Sequence, residues 1–240
     1  MNTGFQTFSI QHLVTLGVFI LFTFLVVKAG KRVEGRMKMW IGYSIASSSF
    51  ALLILDSGMR LMTHTFEVLK DLPLFLCDLV ALILPFVILR LDRKWLGILY
   101  FWVLGGTFQA LLTPELDSGY PTFEFFRYFI QHGGIVSAVI YCTIVFRIDL
   151  SWRDLWNAVL YLQVYLVGIH IVNMILQSNY SYTMAKPGSD TILNFLGDWP
   201  WYILSAELLM ILVFILLLTP FLLLARNKES GSSLTSEQTH

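Results

Sequence analysis

Seven long apolar stretches constrain this chain more than any other feature of its sequence. A membrane-spanning helix needs roughly 20 mostly apolar residues, because it must cross about 30 Å of hydrocarbon. The stretches that meet or approach this length are Leu13–Val27, Met39–Leu55, Leu72–Leu89, Trp95–Leu112, Phe125–Phe146, Leu155–Leu176 and Tyr202–Leu224. They predict an all-α membrane protein whose single domain, residues 1–228, is a bundle of seven transmembrane helices. The polar residues 229–240 are predicted to form a disordered tail.

The composition supports a membrane protein. Only 13% of the residues are charged and the mean hydropathy is +0.69, whereas soluble domains carry about 25% charged residues. The formal net charge of zero gives no reason to expect nucleic acid, so membrane lipids are the predicted partners. The two cysteines lie in apolar stretches, which argues against a disulfide framework. The N-terminus shows no basic region or A-x-A site, so the first stretch is expected to remain as a span.

The basic residues predict the orientation of the bundle. Twelve of the 16 Lys and Arg residues fall on one side of the predicted spans. They are Lys28, Lys31, Arg32, Arg36, Lys38, Arg90, Arg93, Lys94, Arg147, Arg153, Arg226 and Lys228, whereas Arg60, Lys70, Arg127 and Lys186 fall on the other side. Since basic residues concentrate in cytoplasmic loops, the N-terminus is expected outside and the C-terminus in the cytoplasm. We expect a multi-pass protein of the cell membrane, of the bacterial cytoplasmic type.

Polar side chains within the spans collect in the predicted outer half of the membrane. Because an ionisable group in hydrocarbon costs at least ~2.5 kcal/mol, such residues indicate a functional site. Cys77 and Asp78 lie about 8–9 Å below Leu72, His132 about 10 Å down and His170 about 9 Å down, at ~1.5 Å per helical residue. Gln109, Gln131, Asn173 and Glu207 lie at similar depth or nearer the surface, and Trp199, Trp201 and Tyr202 mark the outer interface.

Helical spacing places several of these groups on common helix faces. Gln163, His170, Asn173 and Gln177 are spaced 7, 3 and 4 residues apart, so they share one side of the sixth span. Such a stripe is expected to point into the bundle or into a wet cavity. In the fifth span, Gln131-His-Gly-Gly134 combines an ionisable ring with two glycines that permit close approach of a helix or ligand.

Each residue also has a structural interpretation. A single His or Asn in a bundle is more often an interhelical hydrogen-bonding group than a catalyst. A single Cys in a span is usually a small apolar side chain, and Cys142 is interpreted so. The shared depth of residues from four spans nevertheless predicts one polar site.

A thiol and a nearby imidazole are the minimum set of groups that nucleophilic acyl transfer needs. Asp78, Asn173 or Glu207 could orient the imidazole, and the predicted depth matches the ester bonds of a phospholipid. The same residue types can bind Zn²⁺, but no HxxxH or CxxC spacing supports a metal and no cofactor is predicted. The apolar inner half argues against a transport pathway across the whole membrane. The last span has no Lys and therefore no retinal Schiff base, while a receptor stays possible on topology alone.

Three motifs resemble the YwaF family of bacterial integral membrane proteins. They are Leu72-Pro-Leu-x-Leu-Cys77, Gln131-His-Gly-Gly134, and Asn179-Tyr with Lys186-Pro187 and Gly197-x-Trp-Pro-Trp-Tyr202. The resemblance extends from the first span to the seventh. That family is related to animal transmembrane acyltransferases that build polyunsaturated ether phospholipids.

The resemblance implies a seven-span fold in which Cys77 carries the acyl group and His132 assists it. The shared depth of the polar residues and the resemblance together lead to the hypothesis of a membrane-embedded acyltransferase or lipid hydrolase. Their depth or their position at the outer interface makes the following residues candidates for binding: Asp78, Gln109, Gln131, His170, Asn173, Trp199, Trp201, Tyr202 and Glu207. One position departs from the pattern, because Phe75 stands where a His is expected. The alternative of a different class is a non-catalytic protein that binds or transports a lipid or small molecule in the same polar pocket.

Overall fold

The computed structural model describes residues 4–188 and 192–237, with side chains described for residues 4–188 and 193–226. The described part is all-α and contains no β-strand. Its α-helices are α1 (Ile10–Arg32), α2 (Arg36–Met62), α3 (Leu76–Arg90), α4 (Arg93–Trp102), α5 (Phe108–Leu112), α6 (Phe123–Val145), α7 (Trp152–Leu176) and α8 (Trp201–Glu237). A π-helical turn, Val103–Thr107, joins α4 to α5, and short 3₁₀ turns cover Tyr180–Tyr182 and Ile192–Phe195.

Within the described residues, six segments are long and apolar enough to cross a membrane. They are Ile10–Arg32, Arg36–Met62, Arg93–Leu112, Phe123–Val145, Trp152–Leu176 and Trp201–Arg226. Each overlaps one of the predicted spans. The predicted division of the chain at residue 228 stays a prediction, because the side chains beyond residue 226 lie outside the described part.

The third predicted span, Leu72–Leu89, is helical only from Leu76 onward. Pro73 disfavours helical geometry at the residue before it. The Leu74 N–H closes a tight turn onto the Leu72 carbonyl at 2.7 Å, and Phe75 is extended. Cys77 therefore lies in the first turn of α3. The sequence had predicted a position deeper in the helix, more than one turn after its start.

Helix α2 continues about two turns beyond the predicted end at Leu55. Asp56 and Arg60 follow that point and lower the hydropathy, which is why the sequence pattern stopped there. In the structure these side chains form an ion pair at 3.1 Å, and Asp56 also lies 3.6 Å from Arg127 of α6. Because their charges are paired, the helix tolerates them.

Helix α6 forms the centre of the bundle, because 72% of the residues in its most apolar 18-residue stretch are buried. Gly133 lies against the Phe19 ring of α1, and Gly134 lies against the Ser49 hydroxyl of α2. The Ser49 hydroxyl donates to the Gln131 carbonyl at 3.1 Å. The two glycines thus permit close helix approach, as their motif predicted, and fix the position of Gln131 and His132.

Arg93 and Asp154 join α4 to α7 at the basic end of the bundle. The Arg93 guanidinium donates to both Asp154 carboxylate oxygens, at 2.7 and 2.9 Å. Asp154 also forms a capping box with Ser151 at the start of α7. The polar site lies at the opposite end of the bundle from this pair, at the end where the N-terminus is.

Replacing Gly134 with Ala is expected to destabilise the bundle, because the new methyl group would overlap the Ser49 hydroxyl. Overpacking of this kind costs about 1–3 kcal/mol. Gly168→Ala is the matched control, since a Cβ at Gly168 meets no atom within 4 Å. Thermal unfolding in detergent should show a lower midpoint for Gly134→Ala and an equal or higher one for Gly168→Ala. Equal midpoints for both variants would contradict this packing.

Candidate functional site

A cavity of about 850 Å³ lies at the end of the bundle where α2 ends and where α3, α6 and α8 begin. It is bordered by α2, α3, α6, α7, α8 and the π-turn. Seven of the residues predicted from the sequence line it, namely Cys77, Asp78, Gln109, Gln131, His132, Tyr202 and Glu207. The fold therefore brings most of the predicted polar layer into one space.

Cys77 lies on the wall of the cavity at the start of α3. The residue that caps this helix, Phe75, provides no side-chain hydrogen bond to the first turn. The half-buried thiol forms no disulfide, and its sulfur lies against the backbone N–H groups of Cys77 and Asp78 in the first turn of the helix. The positive end of the helix dipole stabilises negative charge that develops at such a position.

The His132 ring is held in one orientation by its own helix. Its Nδ1 lies 2.8 Å from the Tyr128 backbone oxygen, and the ring stacks on Tyr128 with centroids 4.2 Å apart. Since a carbonyl can only accept, Nδ1 carries the hydrogen and Nε2 of the neutral ring carries the lone pair. Nε2 has no hydrogen-bond partner among the described residues, so a base faces the cavity.

Asp78 does not orient His132. Its Oδ1 accepts from Gln131 Nε2 at 2.7 Å. The backbone oxygen of Tyr128 takes the orienting role for which the sequence offered Asp78, Asn173 and Glu207. A backbone carbonyl leaves no trace in residue identity, which explains why the sequence did not indicate it.

The stripe on α7 lies outside the cavity. Asn173 is fully buried and ties down the following segment: its Nδ2 donates to Tyr180 O and Thr183 Oγ1, both at 2.8 Å. Its Oδ1 accepts from the Ser178 hydroxyl and the Tyr180 N–H, again at 2.8 Å. His170 Nδ1 contacts Thr183 Oγ1 at 3.2 Å. These residues shape a wall of the cavity instead of lining it.

The two predicted tryptophans also lie away from the cavity. Trp199 Nε1 donates to the Thr183 carbonyl at 3.2 Å, and Trp201 is 67% exposed. Tyr202, in contrast, is buried and donates its hydroxyl to the Tyr182 carbonyl. The position of His170 means that Cys77, His132 and His170 do not gather as a ligand set. Among the described residues, no group of three His, Cys, Asp or Glu side chains is placed to hold a metal ion.

Tyrosines join the two loops that cover the cavity. Tyr180 donates to Val68 O at 2.6 Å and accepts from the Leu72 N–H at 3.1 Å. Tyr165 of α7 donates to Leu74 O at 2.8 Å. Phe75, at the position where a His was expected, packs its ring against Tyr180 with centroids 5.3 Å apart. Phe75 therefore serves packing between the loops.

Tyr182 adds a polar contact on the loop side of the cavity. Its hydroxyl donates to Glu115 Oε2 at 2.6 Å. Burial, together with the Glu115 carboxylate, raises the pKa of the Tyr182 hydroxyl, so it stays a neutral donor.

A network of four charged residues, Asp56, Arg60, Asp71 and Arg127, borders the cavity and was not predicted. Arg60 lies 3.1 Å from Asp56 and 3.4 Å from Asp71, and Arg127 lies 3.6 Å from Asp56. The network links α2, the loop before α3, and α6. In the sequence these residues fell at the edges of apolar stretches and two of them were counted only for orientation. The four-residue spacing of Asp56 and Arg60 was the available signal.

The sequence of this chain is similar to one known family of proteins. The family model of the TMEM164 family matches residues 7–218. The chain belongs to the TMEM164 family. This match covers every residue that lines the cavity, while the narrower resemblance to the YwaF family stays a prediction. No curated protein and no solved structure matches the chain.

We expect Asp56→Asn to destabilise the protein, because it leaves Arg60 and Arg127 without a carboxylate that they share. The cost is about 2 kcal/mol, less than for a fully buried pair because Arg60 is 37% exposed. Glu67→Gln is the control, since its pair with Lys70 is exposed at the surface. Denaturant unfolding in detergent should separate the two variants. A loss as large for Glu67→Gln would contradict the importance of the network.

Proposed function

We propose that this protein is a membrane-embedded enzyme that transfers or hydrolyses the acyl chains of phospholipids. Cys77 is the nucleophile and His132 is the base. One observation carries this proposal: a thiol that forms no disulfide and an imidazole with a free lone pair line the same cavity.

The proposed reaction needs only these two side chains and an ester. His132 Nε2 takes the thiol proton, and the Cys77 sulfur bonds to the ester carbon while the carbonyl electron pair moves to oxygen. The carbonyl then reforms as the ester C–O bond breaks, and the leaving alkoxide takes the proton from His132. In the second half an alcohol or water attacks the thioester, its proton passes to His132, and the sulfur leaves and regains a proton.

The cavity supports a lipid as the substrate. Its volume of about 850 Å³ lies in the range typical of ligand pockets, roughly 300–1,000 Å³. Leu53, Leu162, Leu166 and Met210 give it an apolar region that suits an acyl chain. Arg60 and Arg127, at its charged border, suit a phosphate group.

The proposal includes the topology predicted from the sequence. Helix α3 is the seventh span: its 15 residues cover about 22 Å, and the loop 63–75 completes the path to the surface. The N-terminal end, which holds the cavity, faces outward, and the end with 12 of the 16 basic residues faces the cytoplasm. The cavity then lies at the depth of lipid ester bonds in the outer leaflet of a cell membrane.

A non-catalytic lipid binder is the second candidate. Two observations favour it: no hydrogen bond joins Cys77 to His132 among the described residues, and Phe75 replaces the expected His with a packing contact. This candidate predicts that Cys77 substitutions leave lipid binding unchanged.

A labelling experiment with a matched cysteine distinguishes the two candidates. Purified protein is incubated with a phospholipid that carries an alkyne at the end of its acyl chain, and covalent label is measured with and without neutral hydroxylamine, which cleaves thioesters. We expect hydroxylamine-sensitive label on the wild type and on Cys142→Ser, because Cys142 is buried away from the cavity. Cys77→Ser should carry none, and His132→Ala should be labelled about 10²–10⁴-fold more slowly.

Equal labelling of Cys77→Ser would overturn the assignment of the nucleophile. Absence of label on the wild type, together with retained binding of the lipid, would establish the non-catalytic candidate instead.

A further inference from the structure

The hydroxyl of Thr107 is unusual among the helical threonines of this chain. Thr15, Thr23, Thr143 and Thr219 each donate to the carbonyl four residues earlier, at 2.7, 2.7, 2.9 and 2.9 Å. Thr107 is only 4% exposed, yet its Oγ1 has no hydrogen-bond partner in the described part of the chain. Because an unsatisfied buried hydroxyl costs about 1–3 kcal/mol, this arrangement calls for an explanation.

The π-turn explains why the hydroxyl is free. In an α-helix, a threonine at this position would donate to the Val103 carbonyl. Here the Phe108 N–H reaches back five residues to that carbonyl, which is the hydrogen bond that defines the π-turn. π-turns of this kind occur frequently at functional sites.

The π-turn lies close to the proposed nucleophile, Cys77. Thr107 lines the same cavity as Cys77 and His132. Its neighbour Gly106 lies against Leu76, the residue immediately before Cys77, with 3.9 Å between an ideal Cβ and Leu76 Cδ2. Gly105, on the other side of the turn, packs against Phe214 of α8, which holds the turn between α3 and α8.

We propose that Thr107 is a further catalytic residue, which donates its hydroxyl hydrogen to the oxyanion formed when Cys77 attacks an acyl carbonyl. This inference rests on the proposed function. A donor that is fixed on a rigid segment, buried and free of other partners stabilises the developing charge without reorganisation. The thiol proton goes to His132 Nε2, the S–C bond forms, and the carbonyl electron pair becomes the oxyanion that accepts from Thr107.

The test uses a hexadecyl trifluoromethyl ketone, which forms a reversible tetrahedral adduct with a nucleophilic thiol and needs no knowledge of the natural substrate. The matching carbinol has the same chain but forms no adduct, so it measures binding alone. Adduct formation on the full-length protein is followed by ¹⁹F NMR and by protection of Cys77 from a maleimide.

We expect Thr107→Val to weaken the adduct by about a hundredfold while carbinol binding stays within about twofold. Thr107→Ser should restore adduct formation, because it retains the hydroxyl. Thr143→Val is the matched control: Thr143 is a buried helical threonine whose hydroxyl donates to the Val139 carbonyl at 2.9 Å, and it does not line the cavity. This variant should behave like the wild type.

The outcomes separate this inference from the function on which it rests. If the wild type forms no adduct at Cys77, the proposed nucleophile and the role of Thr107 both fail. If the adduct forms and Thr107→Val leaves it unchanged, or Thr143→Val weakens it equally, only the role of Thr107 is overturned. Thr107→Ala serves as a second variant. If both Thr107→Val and Thr107→Ala lose carbinol binding, the hydroxyl serves packing and the proposal is wrong.

Discussion

The structure depends on the requirement that backbone N–H and C=O groups be satisfied within a membrane. In hydrocarbon, irregular backbone is tolerated only where it is buried in protein or lines a cavity. This chain leaves α-helical geometry next to its apolar helices at two notable places, the turn Leu72–Phe75 and the π-turn Val103–Thr107. Both border the same cavity, and Gly106 of the second contacts Leu76, which directly follows the first. The irregular backbone therefore marks the site as clearly as the polar side chains do.

Charge pairing and tyrosine hydrogen bonds hold the loop before α3 in place. Arg60 links Asp71 of this loop to Asp56 of α2, and Tyr180 bonds the backbone at Val68 and Leu72. Charged groups near hydrocarbon remain stable only when paired, so these contacts constrain the loop strongly. The same contacts position Cys77, because the loop ends where α3 begins. One set of interactions thus both stabilises the loop and positions Cys77 of the candidate site.

The sequence predicted the framework because its signals are local. Six apolar segments coincide with helices long enough to span a membrane. The depths predicted for Cys77, Asp78, Gln131 and His132 place these residues near one end of the bundle, and in the structure all four line the cavity. Helical phase identified a shared side of α7 for His170 and Asn173, but it carries no information about which neighbour that side meets. In the structure the neighbour is the chain's own segment 178–183 and not the cavity. The start of α3 was placed too early, since hydropathy does not register the effect of Pro73 on the preceding residue.

Other parts of the site arise from contacts between distant residues and from the backbone. Arg127 was counted only for orientation, because its partner Asp56 is far away in sequence. The carbonyl of Tyr128 orients His132, and the π-turn frees Thr107, yet neither effect depends on a residue pattern that the sequence displays. Such features require coordinates.

In the proposed reaction, an acyl chain enters the cavity with its carboxyl end between Cys77 and the π-turn. A phospholipid with a diazirine near the carboxyl end of its acyl chain tests this directly on the wild-type protein. After photolysis, peptide mass spectrometry identifies the residues that the chain contacts. The account predicts adducts at residues 76–78 and 105–107. Adducts confined to exposed residues of α1 and α8, such as Leu21 and Leu212, would contradict it.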